Sequence, residues 1–222
     1  MKVYFISGLA ADKRIFTHIK LPPAFEMVYI DWIKPIRGES LESYALRLAK
    51  QINTDENFGL IGLSLGGMIA TEIAKKYPPV ITILLSSIST CNDIPPHFRM
   101  AYALRLHKIV PMKLIKSVSI MKRLFTAEKS GDKKIIKQVV RDSDPDFIRW
   151  AMGAILEWKN IDAPNPVCQI HGNKDEILPL KYTSPTHTII NGTHMMVLTK
   201  AEEINLLLRE LLTDSASPKN HP

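Results

Sequence analysis

The sequence predicts an α/β fold: a mostly parallel six-stranded sheet with helices on both faces and a helical insertion after the fourth strand. Two observations carry this. Through residues 1–90, short apolar runs rich in branched and aromatic residues alternate with amphipathic runs of helical period, the pattern of a parallel sheet covered on both sides. From Ile94 to Asn160 only helical patterning remains, and two more strand-like runs follow.

In order, Val3–Ser7 is the first strand, Lys13–Ile19 a short helix and Met27–Trp32 the second strand. Leu41–Ile52 places Leu41, Tyr44, Ala45, Leu48 and Ile52 on one helical face, with Ser40 positioned to cap it. Gly59–Leu63 and Val80–Ser86 are strands three and four. Between them a helix runs from Leu65 to Tyr77, where Pro78 and Pro79 stop it. The insertion reads as helices over Arg99–Ile109, Met112–Thr126, Asp132–Arg141 and Asp146–Trp158, divided by Pro111, Gly131 and Pro145. Pro166–His171 and Thr188–Ile190 complete the sheet. The expected organisation is a core of 1–90 and 163–213, a helical cap of 91–162 and a flexible tail of 214–222.

At 222 residues, one domain with a sizeable insertion is expected, and 45% hydrophobic with 23% charged residues is a globular composition. No stretch approaches the roughly 20 apolar residues that span a bilayer. Val3–Ile6 after Met1-Lys2 reads as a core strand, not a signal peptide. Cys91 and Cys168 fit neither a disulfide framework nor metal-ligand spacing, so a reducing cytoplasm is the expected home and no metal or cofactor is expected. Of the net charge of +7, residues 91–165 hold 14 Lys and Arg against 8 Asp and Glu. A solvated helical face explains this, and a basic lid meeting anionic substrates or a membrane surface is the alternative. No nucleic-acid motif accompanies the charge. Oligomeric state is not legible. The cap carries Met100, Met112, Met121, Met152, Phe98, Phe125, Phe147, Trp150 and Trp158, mostly as packing, with some free to line an apolar pocket.

Gly62-Leu63-Ser64-Leu65-Gly66 reads G-x-S-x-G where a strand ends and a helix begins. A serine on so sharp a turn stands above the sheet at the positive end of a helix. To act as a nucleophile it needs a base in hydrogen-bond reach and a carboxylate to orient that base. Asp175 and His194 both lie just past the carboxyl ends of late strands, and the chain order Ser64, Asp175, His194 is the one that accompanies this elbow.

From Val3 to about Leu212 the chain resembles a small member of the α/β-hydrolase fold superfamily, through Gly62–Gly67 (GLSLGG), His171–Asp175 (HGNKD) and Gly192–Met196 (GTHMM). The resemblance implies Ser64 as nucleophile, His194 as general base, Asp175 as its orienting acid and a cap after the fourth strand. It also implies an oxyanion hole, with backbone N–H donors expected at Leu65 and, in the loop Ser7–Ala11, at Leu9. Here the chain departs from the family: Ser7-Gly8 stands where His-Gly is common, so something other than that His must hold the loop. Asp12 reads as a helix cap or as a polar wall of the site. Asp93, after the fourth strand, is a rival for the acid. His171, four residues before Asp175, reads as a structural His bonded to backbone. His18 and His187 read as ordinary helix and strand-flank residues, and His97 and His107 as cap residues that face solvent or, alternatively, touch substrate.

A serine at the elbow argues against epoxide opening and dehalogenation, which use a carboxylate there. The expected reaction is hydrolysis of a small-molecule carboxylic ester or thioester through an acyl-enzyme. Amide hydrolysis, carbon–carbon bond hydrolysis and lyase activity use the same residues. A slow or non-catalytic ligand-binding protein on the same fold is the alternative class, and a peripheral membrane lipase is a third.

Overall fold

The computed structural model of the protein describes residues 1–103 and 130–216. Strands β1 (Lys2–Ile6), β2 (Glu26–Tyr29), β3 (Phe58–Leu63), β4 (Ile81–Leu85), β5 (Val167–Gly172) and β6 (His187–Ile189) form one sheet in the order β2-β1-β3-β4-β5-β6. Every neighbouring pair is parallel. All the carboxyl ends therefore fall on one rim, where a parallel sheet offers its loops to a ligand.

Side chains along the strands alternate between two buried layers, as the period of two requires. On one face Val3, Phe5, Ile61, Leu63, Ile83 and Ile170 pack with Ile15, Phe16, Met196, Ile204 and Leu208. On the other, Tyr4, Ile6 and Leu60 pack with Leu41, Tyr44, Leu48, Leu65, Ile69 and Ile73. Helix α1 (Leu41–Leu48) opens on Ser40, whose side chain accepts from the Ser43 N–H, and its apolar face is buried. Helix α2 (Leu65–Lys76) is buried from Leu65 through Ala74.

Between β4 and β5 lie α3 (Pro96–Ala103), α4 (Ser130–Asp142) and α5 (Pro145–Glu157). The expected helix over Met112–Thr126, the end of the one over Arg99–Ile109, and His107, Met112, Met121 and Phe125 lie outside the described residues. Phe147 and Trp158 are buried against the second layer, whereas Met100 is 63% exposed. Trp158 donates its Nε1–H to the buried Glu72 carboxylate at 2.6 Å, and Lys75 closes on the other oxygen of that carboxylate at 3.1 Å. That network ties the end of α5 to α2.

Several boundaries differ from the sequence reading. The expected strand over Met27–Trp32 ends at Tyr29: the Ile30 N–H still donates to the Phe5 carbonyl of β1 at 2.9 Å, and beyond it side chains take the backbone polar groups. The Gln51 amide satisfies both the N–H and the carbonyl of Asp31, and the Tyr44 hydroxyl does the same for Ile33. Lys13–Phe16 and Ala49–Gln51 are 3-10 turns, the tighter form short or terminal helical segments take. Residues 214–216, expected in the tail, belong to the last helix, and 217–222 lie outside the described residues. After the short α6 (Met196–Thr199), α7 (Ala201–Ala216) continues past Leu212 with Thr213 and Ser215 bonding their hydroxyls back to Arg209 and Leu212 carbonyls. Among the described residues no helix is long and apolar enough to cross a membrane.

Candidate active site

Leu63 ends β3 and Leu65 begins α2, so Ser64 must reverse the chain in one residue. It does so at φ 52° and ψ −118°, a conformation that a non-glycine residue holds only when its surroundings enforce it. Ser64 N–H donates to the Leu85 carbonyl at 3.0 Å, and the Ser87 hydroxyl donates to the Ser64 carbonyl at 2.6 Å. Ser87 is in turn held by the Gln169 side chain, which donates to its carbonyl at 2.7 Å. Gly66 is required by close approach: a Cβ there would meet the Ile6 and Ser7 carbonyl oxygens.

The loops after β5 and β6 are clamped together. Gly172 faces Gly192 backbone to backbone, with no room for a Cβ, and Lys174 N–H donates to the Gly192 carbonyl at 2.8 Å. This contact brings Asp175 against His194. Asp175 Oδ1 accepts from the Ile177 and Leu178 N–H groups, both at 2.9 Å, and Oδ2 lies 2.8 Å from His194 Nδ1. His194 Nε2 lies 3.0 Å from Ser64 Oγ. Since a carboxylate only accepts, Nδ1 carries the ring proton and Nε2 is left to accept from the Ser64 hydroxyl.

Burial pushes the Asp175 carboxyl up. The charge and hydrogen bond of His194, with help from His171 and the Leu178 N–H, outweigh this and hold it below the usual carboxylate range. Asp175 and His194 are each 4% exposed. A hydroxyl, an imidazole and an ionised carboxylate in this order can move the hydroxyl proton onto Nε2 as the oxygen attacks an electrophile.

The loop after β1 borders Ser64: a Cβ on Gly8 would lie 3.4 Å from the Ser64 Cβ. Leu9 is half-buried and Leu65 fully buried, and among the described residues neither backbone N–H is bonded to a protein acceptor. The loop is held by the Ala11 carbonyl, which accepts from Ser7 Oγ at 3.0 Å and from Trp32 Nε1 at 2.9 Å. Trp32, Ser87 and Gln169, which hold the site's backbone, belong to no motif in the sequence. For Trp32 the available signal was its place just past the carboxyl end of the strand beside β1.

The other candidates sort clearly. Asp12 caps the 3-10 turn after this loop, accepting from the Arg14 N–H at 2.9 Å and pairing with its guanidinium. Asp93 accepts from the Thr90 hydroxyl at 2.9 Å. His171 is fully buried with Nε2 2.7 Å from the Leu178 carbonyl, and burial pulls its imidazole below the ordinary value against the pull of Asp175. His18 bonds the buried Asp132 at 2.8 Å, linking the turn after β1 to α4; His187 bonds Thr186, and His97 is exposed against Phe98. Among the described residues no group of three or more His, Cys, Asp or Glu could hold a metal ion.

The sheet order, the serine elbow and the late Asp and His loops define the class: the chain has the α/β-hydrolase fold. No family model matches it. It is 24% identical to a pimeloyl-[acyl-carrier protein] methyl ester esterase of Neisseria meningitidis serogroup C, over 90% of this chain and 85% of that protein. It superposes on MenH from S. aureus with a TM-score of 0.77 at 16% identity, covering 98% and 95% of the two chains. An esterase from Exiguobacterium antarcticum follows at 0.72 and 16%, covering 98% and 92%.

Proposed function

We propose that the protein is a serine esterase that cleaves a small-molecule carboxylic ester or thioester. The unbroken run of hydrogen bonds from Ser64 through His194 to Asp175, on an elbow that aims Ser64 away from the sheet, carries this reading. Ser64 Oγ attacks the ester carbonyl carbon while His194 Nε2 takes its proton. The oxyanion that forms is met by the Leu9 and Leu65 N–H groups. As the intermediate collapses, the carbon–oxygen bond of the ester, or the carbon–sulfur bond of the thioester, breaks and His194 gives the proton to the departing alkoxide or thiolate. Water then attacks the acyl-enzyme by the same route in reverse, releasing the acid and restoring the Ser64 hydroxyl. Asp175 keeps His194 in the required tautomer and offsets the imidazolium charge.

The relative named for a methyl ester supports a small alcohol as leaving group. In this reading residues 91–162 form the cap over the acyl chain. The test is hydrolysis of nitrophenyl esters from acetate to dodecanoate. Saturable turnover with a maximum at one chain length is expected, and it sizes the space beneath the cap. Background rates on every member of the series would contradict the esterase reading.

A further inference from the structure

The loop carrying Leu9 holds an unfavourable conformation without the histidine that commonly steadies it. Gly8 to Ala11 form a turn closed by the Ala11 N–H on the Gly8 carbonyl at 3.1 Å, and Ala10 in that turn has φ 56°. An L-residue other than Asn or Asp rarely adopts this region unaided. Its restraint comes from the far side of the turn. The Ala11 carbonyl takes two side-chain donors, the buried Ser7 hydroxyl and the Trp32 indole N–H.

Trp32 is itself firmly seated. Its ring lies 4.9 Å from Phe147 on α5 and 6.4 Å from Tyr44 on α1. The next residue, Ile33, has both backbone polar groups on the Tyr44 hydroxyl. Burial pushes that phenol up to about 12, so it stays a neutral donor at ordinary pH. The indole therefore reaches the Ala11 carbonyl from a fixed platform built by α1 and α5.

We propose that Trp32 is a positioning residue for the oxyanion hole: its Nε1–H on the Ala11 carbonyl, together with the Ser7 hydroxyl, holds the Gly8–Ala11 turn so that the Leu9 N–H faces the developing oxyanion. The proposal rests on the esterase reading of Ser64. If the indole bond is lost, Ala10 is free to relax toward negative φ, the Ala11 N–H leaves the Gly8 carbonyl, and the Gly8–Leu9 peptide that this bond holds rotates, carrying the Leu9 N–H off line. The oxyanion exists only along the reaction path, so the loss falls on kcat and not on KM.

The experiment compares Trp32→Phe with wild type on the preferred nitrophenyl ester and measures inhibition by an alkyl boronic acid, which forms a tetrahedral adduct on the serine. The phenyl ring keeps an aromatic face toward Phe147 and removes the N–H together with the rest of the five-membered ring, so Ser7→Ala, which leaves the packing around Trp32 in place, is read beside it. Expected are a fall in kcat of about 10- to 100-fold, KM within about 2-fold, and boronate affinity weakened in step with kcat. Ser7→Ala removes the other donor to the same carbonyl and should show the same signature, which keeps the test open should Trp32→Phe fold poorly. Adding Ala10→Gly to Trp32→Phe should restore part of kcat, because glycine holds a positive φ without the indole. Unchanged kcat in both single variants overturns the proposal, as does a fall in kcat with boronate affinity intact. A wild type inactive on every ester would instead sink the esterase reading, and this role with it.

Discussion

Ser64→Ala is expected to lower kcat/KM for a nitrophenyl ester by on the order of 10⁵-fold, to a level set by whatever the oxyanion hole and binding still supply. The size of the effect follows from the covalent route. Without Oγ there is no acyl-enzyme, and His194 is left only to assist water that nothing places against the carbonyl. The fold should survive. The elbow is held through the Ser64 backbone, by the Leu85 carbonyl and the Ser87 hydroxyl, and alanine keeps both bonds. An unfolding midpoint within a degree or two of wild type, measured beside the lost turnover, separates chemistry from stability.

Asp175→Asn is expected to cost on the order of 10⁴-fold. One carboxylate oxygen already accepts two backbone N–H groups, so an asparagine keeps its carbonyl there and turns its amide toward His194. The amide donates where the carboxylate accepted. His194 then carries its proton on Nε2 and can no longer take one from Ser64. Asp93→Ala should leave activity unchanged, since Asp93 spends its carboxylate on the Thr90 hydroxyl. Equal losses in both variants would contradict the assignment of the acid. The same substitution has a signature in stability. The Asp175 carboxyl is held below its ordinary range in the folded protein, so the folded state binds its proton less readily than the unfolded chain. Its contribution is therefore present above about pH 3.9 and is lost as pH falls through the depressed native value. Asp175→Asn should flatten the acid side of the stability profile in that range.

The central strands were legible because they are apolar runs buried on both faces, and the edge strands because their branched or aromatic runs alternate with helical patterning in a parallel sheet. That Ser64, Asp175 and His194 come together was legible for the same reason: each follows the carboxyl end of a strand, and a parallel sheet brings these ends to one rim as a candidate site. What escaped depended on partners far away in the chain. Trp32 looked like the last residue of a strand because nothing local announces that Gln51 and Tyr44 will take the backbone groups beside it. Glu72 sits in a helix as any surface glutamate would, until Trp158 closes over it from 86 residues away. The helix through Ala216 outran its polar sequence because hydroxyls of Thr213 and Ser215 bond within the helix instead of breaking it.

The proposed covalent role of Ser64 is tested most directly by a fluorophosphonate probe. The probe phosphonylates an activated serine with loss of fluoride, and peptide mass spectrometry then locates the adduct. One adduct per chain on Ser64, absent from a His194→Ala protein of unchanged unfolding midpoint, is the predicted result. An unlabelled protein, or an adduct on any other residue, would contradict it.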